Sequence, residues 1–206
     1  MKLILSALSA VVLAGCSVFG GKAADEPPYR LAISEPPFEI REYEAIVVAT
    51  TKVDAPYQDA ISTGFGRLFD YISGANTGAA KIAMTAPVLT EEASTKIAMT
   101  APVITEADGA GTTVMFVLPE AFTLDTAPQP TDPTVTLSEI GPRRVAVARF
   151  QGFLTETAIE NSRTDLLEWL VDRGEPADGP WQAAGYNPPW TVPSLRRNEV
   201  LITLQR

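Results

Sequence analysis

Histidine is absent from all 206 residues of the chain. That removes the usual proximal haem ligand, the commonest general base and the commonest zinc ligand. It also excludes nucleophiles of the Ser-His-Asp or Cys-His type. Cysteine occurs once, at Cys16, so no disulfide can form within the chain. Basic residues are scarce: 16 Lys and Arg stand against 25 Asp and Glu, a net charge of −9. An acidic surface without a basic stripe repels phosphate backbones, which argues against nucleic acid as a partner. Phosphate-cradling glycine loops and calcium-loop spacings are missing too. The acidic pairs Glu91-Glu92 and Glu156/Glu160 fall in turn-like or exposed helical settings. The expectation is a protein that is not an enzyme and holds no metal of its own.

Long apolar runs are lacking except at the start. Met1-Lys2 is followed by an apolar stretch over residues 3–14 and then Gly15-Cys16. The stretch falls short of the roughly 18–20 residues of a spanning helix. A charged start, a short apolar run and small residues before a cut site make a secretory signal. Leu13-Ala14-Gly15-Cys16 resembles a bacterial lipobox, which predicts cleavage after residue 15 and acylation of Cys16. More than one acyl chain gives stable rather than reversible anchoring. Ser17 in place of Asp leans toward the outer membrane, on its periplasmic side. Residues 16–35 carry Gly20-Gly21 and Pro27-Pro28 and read as a lipidated N-terminus and tether. Residues 36–206 remain as one domain with room for a core.

What the chain has in excess is a repeat. Lys-Ile-Ala-Met-Thr-Ala-Pro-Val occupies residues 81–88 and again residues 96–103, fifteen positions later. Leu89-Thr90-Glu91 and Ile104-Thr105-Glu106 extend the likeness. Ile82, Met84, Ala86 and Val88 alternate with Ala83, Thr85 and Pro87, the period of a strand. The polar residues 89–95 would turn the chain, so the two copies predict a hairpin. Pro87 and Pro102 place it at an edge or a bulge.

Elsewhere the periods are clear. Residues 43–53 read as a strand and residues 56–73 as a helix with Tyr57, Ile61, Phe65, Leu68, Phe69 and Ile72 on one stripe. Asp54 stands at its start and Gly74 at its stop. Strands are predicted over 113–118, around Val135 and Leu137, over 144–150 and over 199–205. A second helix is predicted over 157–173, opened by a capping box at Thr157-Ala158-Ile159-Glu160 and closed by Gly174. Strand, helix and paired strands thus occur twice. The fold class is α+β: a distorted antiparallel β-barrel with two packed helices, built as a pseudo-two-fold repeat of strand-helix-strand-strand units.

Several runs resemble the SOUL family of haem-binding proteins. They are Arg67 to Asn76, the repeated octapeptide, Val114-Met115-Phe116-Val117-Leu118-Pro119 and Arg144 to Phe150 with Gly152. Gly185-Tyr186, Pro188-Pro189-Trp190 and Arg196-Arg197-Asn198-Glu199-Val200 complete the set. The likeness runs in one order from about Glu39 to the C-terminus. It implies the same fold and makes haem, or another tetrapyrrole, the expected ligand. Without histidine, such a ligand would be held by packing, or by Tyr71, Tyr186 or Met.

The candidate ligand-binding residues are Phe65, Arg67 and Leu68 on the first helix and Met84 and Met99 on the repeated hairpin. Phe65 stands between Gly64 and Gly66, which would admit either a flat ligand or a close sheet. Arg67 or Arg196-Arg197 would clamp a carboxylate. The reading is an envelope-anchored lipoprotein that binds a hydrophobic ligand. The alternative is a lipoprotein with no small-molecule ligand, whose edge hairpin docks a partner protein by strand addition.

Overall fold

In the computed structural model the described residues are 26–92, 111–177, 179–188 and 190–204. They form nine strands and two α-helices in the order β1(Tyr29–Glu35), β2(Phe38–Tyr43), β3(Ile46–Val53), α1(Tyr57–Ser73), β4(Val88–Glu92), β5(Thr112–Val117), β6(Val135–Ile140), β7(Arg143–Phe150), α2(Glu156–Arg173), β8(Trp181–Gly185) and β9(Asn198–Leu204). All nine strands pair antiparallel in one sheet of order β1-β2-β7-β9-β8-β4-β5-β3-β6. The sheet is not closed, so the expected barrel is a strongly curled sheet with β1 and β6 as its edges.

The predicted two-fold repeat is present, with an exchange of strands. One unit runs β2-β3-α1-β4-β5 and the other β6-β7-α2-β8-β9. The first strand of each unit pairs into the other: β2 lies beside β7, and β6 beside β3. Only Glu44-Ala45 separate β2 from β3, and only Gly141-Pro142 separate β6 from β7. At both corners the chain leaves one part of the sheet for another. The units meet where β4 pairs with β8.

Alternation along the strands divides the core. On the outer face α1 covers Ala49, Val114 and Phe116, and α2 covers Ile40, Ala146, Val200 and Ile202. The inner face gathers Val48, Leu89, Met115 and Val117 with Val145, Val147 and Leu201. Strands distant in the sheet order contribute to this one cluster, so the curl is filled with side chains.

Helix α1 ends as expected at Gly74, whose φ of 125° favours glycine. Its start has no side-chain cap, and Pro56 occupies the N-cap position in place of Asp54. Gly64 is explained by packing rather than by a ligand. A Cβ there would stand 2.5 Å from Val114 Cγ2, so the helix lies directly on β5. Helix α2 is capped by Thr155, whose hydroxyl accepts from the Ala158 amide. The expected capping box at Thr157 does not form; Glu160 binds Arg163 instead.

Three further expectations are revised. Residues 29–35, read as tether, form an edge strand paired to β2, so the sheet begins before residue 36. Residues 81–87 alternate in sequence but make no regular strand. Strand β4 begins at Val88, and residues 89–92, expected to turn, belong to it. Finally, β4 lies between β5 and β8, and Val88, Leu89 and Thr90 pair on both sides, so this part of the strand offers no free edge to a partner. The second octapeptide lies outside the described residues, as does Cys16.

Candidate functional site

Between the two helices the outer face of the sheet is open. Val88 and Thr90 of β4 and Gly185 of β8 line a groove of about 720 Å³. Tyr57, Ile61 and Phe65 of α1 form one wall, and Phe153 and Leu154, just before α2, form the other. The groove continues toward Ile159 and Trp181 through a second space of about 460 Å³ that shares Tyr57, Thr90, Glu156 and Thr157 with it. The larger part alone falls within the roughly 300–1,000 Å³ of small-molecule sites.

The charges are unevenly placed. Arg196 stands at one end, its guanidinium 4.9 Å from the centre of the Phe153 ring and its Nε donating to the Thr191 carbonyl at 2.8 Å. Asn187 and Asn198 line the same end. Glu156 and Glu160 line the other. Phe153 is 59% exposed, and Val192 and Leu195, close to Arg196 in sequence, are exposed as well. An apolar slot with a cation at one end suits a flat apolar molecule carrying a carboxylate.

No thioether or thiol is among the residues lining this groove. Its phenol, Tyr57, is buried and shares a 3.3 Å hydrogen bond with Thr90. Among the described residues, the lining thus offers apolar contacts and one guanidinium at this end but no thioether, thiolate or unengaged phenol for iron.

The sequence candidates separate. Phe65 lies in the groove, packed edge-on against Phe116 at 5.2 Å and stacked on Phe69 at 6.1 Å. Leu68 is 0% exposed and belongs to the core beneath α1. Arg67 donates weakly to Thr51 Oγ1 and the Lys52 carbonyl and lines neither groove nor cleft. Met84 lines a different cleft, of about 760 Å³, with Ile46, Leu118 and Phe122 and the carboxylates of Glu44, Glu120 and Glu139. Met99 lies outside the described residues. The expected site between α1 and the repeat is thus not one site.

Tyr71 and Tyr186 are unsuited to iron as well. Tyr71 is buried and donates to the Pro128 carbonyl at 2.9 Å; Tyr186 donates to Glu199 at 2.5 Å. Sequence reasoning missed Phe153 and Leu154, which sit in an aperiodic connection. The pairing of Phe153 with the already suspected Arg196 shows only in three dimensions.

It also missed a buried ionic network on the inner face. Arg41 and Glu199, both with fully buried side chains, form a double hydrogen bond at 2.8 Å. Arg41 also donates to Glu39 and to the Tyr43 hydroxyl, and lies over the Tyr29 ring. Arg149 and Arg197 each donate to Glu199 Oε1. Burial would raise the Glu199 carboxyl, but Arg41 and Arg197 with the Tyr186 hydroxyl outweigh it and hold it at about 2. Burial pushes the Tyr186 phenol well up. The network ties β2, β7 and β9 together.

The family model described as SOUL heme-binding protein matches residues 24–203. The chain belongs to the SOUL family. This SOUL domain is 29% identical over 171 residues to heme-binding protein 2 of Homo sapiens, covering 82% of this chain and 78% of the human protein. It is 27% identical over 164 residues to heme-binding protein 1 of Xenopus laevis, covering 79% and 81%. Among solved structures, the EcmrR C-terminal domain superposes with a TM-score of 0.60 at 12% identity, over 86% of this chain and 98% of that one. A structure from Listeria innocua described as a hydrolase gives 0.54 at 10% identity, over 84% and 94%. Both likenesses concern the fold alone.

Proposed function

We propose that this SOUL domain binds haem or a related tetrapyrrole by packing, without protein ligation of iron, in the groove between α1 and the start of α2. Ile61, Phe65, Val88, Phe153 and Leu154 would contact the macrocycle, and Arg196 would hold a propionate. At the far end Glu160 is already paired with Arg163, and Glu156 disfavours a propionate beside it, which orients the ring. The observation that carries the reading is this largely apolar slot with the Arg196 guanidinium at one end, in a chain of a family whose relatives are named for haem. Binding rather than catalysis is the role. The protein would work from the cell envelope, held by acyl chains on Cys16 with the outer membrane as its expected site.

The test is a titration of the tag-free protein with haemin and, separately, with iron-free protoporphyrin, followed by absorbance and fluorescence. One-to-one saturation with similar affinity for both is expected, weakened about tenfold or more by Arg196→Ala or Phe153→Ala. Haemin binding far tighter than the iron-free ring would mean that a protein ligand reaches the iron. Saturation with neither would retire the tetrapyrrole. Met84→Ala with Met99→Ala should leave the affinity unchanged, since Met84 lines the other cleft. Cys16→Ala should release the protein from the membrane fraction; unchanged fractionation removes the lipid anchor.

A further inference from the structure

The octapeptide at residues 81–88 sits in a place shaped for it. Ile82 is buried in the core beneath α1, and its amide donates to the Ile72 carbonyl at 2.8 Å. The Thr85 hydroxyl donates to the Val117 carbonyl. Ala86 and Leu89 enter the inner core. Val88, Leu89 and Thr90 then pair with both β5 and β8. Every contact in this list is made by a residue that recurs fifteen positions later, with one exception: Ile104 stands for Leu89. That change preserves volume and favours a strand.

The remainder of the chain can accommodate the second copy. Glu92 is paired with Thr112 at the end of the β4–β5 ladder. Slipped by fifteen residues, Ala107 would take that place, leaving Asp108-Gly109-Ala110-Gly111 to turn into β5. Four residues beginning Asp-Gly make an ordinary hairpin connection. Gly111 keeps its role in either case, since a Cβ there would strike the Val53 carbonyl. At the other end, residues 81–95 would join the link after Ala80. Closure entropy rises slowly with loop length, so moving fifteen residues from one connection to the other changes little.

We propose that the seat of residues 81–90 is a binding site for either copy, and that the chain exchanges between two registers fifteen residues apart. Val103 and Thr105 replace Val88 and Thr90 on the groove floor, so both forms present the same lining to a ligand. A ligand of equal affinity for both leaves their populations unchanged. The registers differ in which end of β4 carries the additional segment. A macromolecular partner at either end would therefore select one.

Ile82→Asp, Ile97→Asp and the double variant of the full chain separate the possibilities, read by thermal melting and amide hydrogen exchange. Ile82→Asp alone should melt within a few degrees of the parent, with protection moving from residues 81–92 to residues 96–107. The double variant should fall by roughly 10 °C. A fall after Ile82→Asp equal to that of the double variant overturns the proposal, as does protection that stays at residues 81–92. Deleting residues 81–95 provides an independent check, because Ala80-Lys96 then reproduces Ala80-Lys81. That variant should fold and melt near the parent; failure to fold overturns the four-residue hairpin and with it the second register.

Discussion

Glu199 illustrates how a single side chain can organise a sheet. It accepts from Arg41, Arg149, Arg197 and Tyr186, drawn from β2, β7 and the residues flanking β8 and β9. In a low-dielectric setting the attraction is strong, but so is the cost of stripping water from the charges. Such a cluster holds only while complete. Glu199→Gln keeps the shape and removes the charge that three guanidinium groups share, so it should cost about 3–5 kcal/mol of stability. Urea unfolding with an unchanged m-value would measure it. A loss under 1 kcal/mol would mean that Glu39 alone suffices to neutralise Arg41 and Arg149. By contrast Arg30 and Glu42, an exposed pair across β1 and β2, should contribute little.

Elements show where the sequence was readable. Helix α2 advertised its end at Gly174, but its start was misjudged by one residue and its cap by two. Thr155 and Thr157 both precede helical periodicity, and only the structure shows that Thr155 bonds the Ala158 amide. Thr155→Ala should therefore cost about 1 kcal/mol, whereas Thr157→Ala should be near neutral; thermal melting of the pair compares them directly. Strands with branched residues and clear alternation, β3, β5, β7 and β9, were legible because one face of each meets a helix. Strand β8, Trp-Gln-Ala-Ala-Gly, has no branched residue and announces nothing. Strand β1 is exposed on both faces over most of its length, so no buried period marks it. The octapeptide misled for the opposite reason: its alternation is real, yet residues 81–87 pack irregularly and the ladder starts only at Val88. The groove was half legible. Phe65 and Ile61 followed from helical spacing and Arg196 from its family motif, while Phe153 comes from a connection with no period at all.

The molecule as a whole should be most sensitive to acid. Glu199 is held at about 2, against an ordinary 4.5, and Glu35, Glu160 and Glu175 are each held below the usual range. For Glu35 the causes are hydrogen bonds from Trp169 and Arg173; for Glu160 and Glu175 they are hydrogen bonds from Arg163 and Arg144. A carboxylate depressed by folding stabilises the native state at pH values above its unfolded pKa, and that contribution disappears as pH falls through the folded one. The shift of Glu199 corresponds to about 3 kcal/mol, whereas the exposed pairs add little once screened by solvent. With no histidine in the chain, side-chain titration supplies no comparable step between pH 5 and 8. The urea midpoint should therefore stay level from about pH 7 to 5 and then fall steadily between about 4.5 and 2. Glu199→Gln should begin lower and lose much less across that same interval, because the group whose protonation drives the fall is gone. Parallel curves for the two proteins would instead place the acid sensitivity in the exposed pairs that join α2 to β1 and β7 to the segment after Gly174.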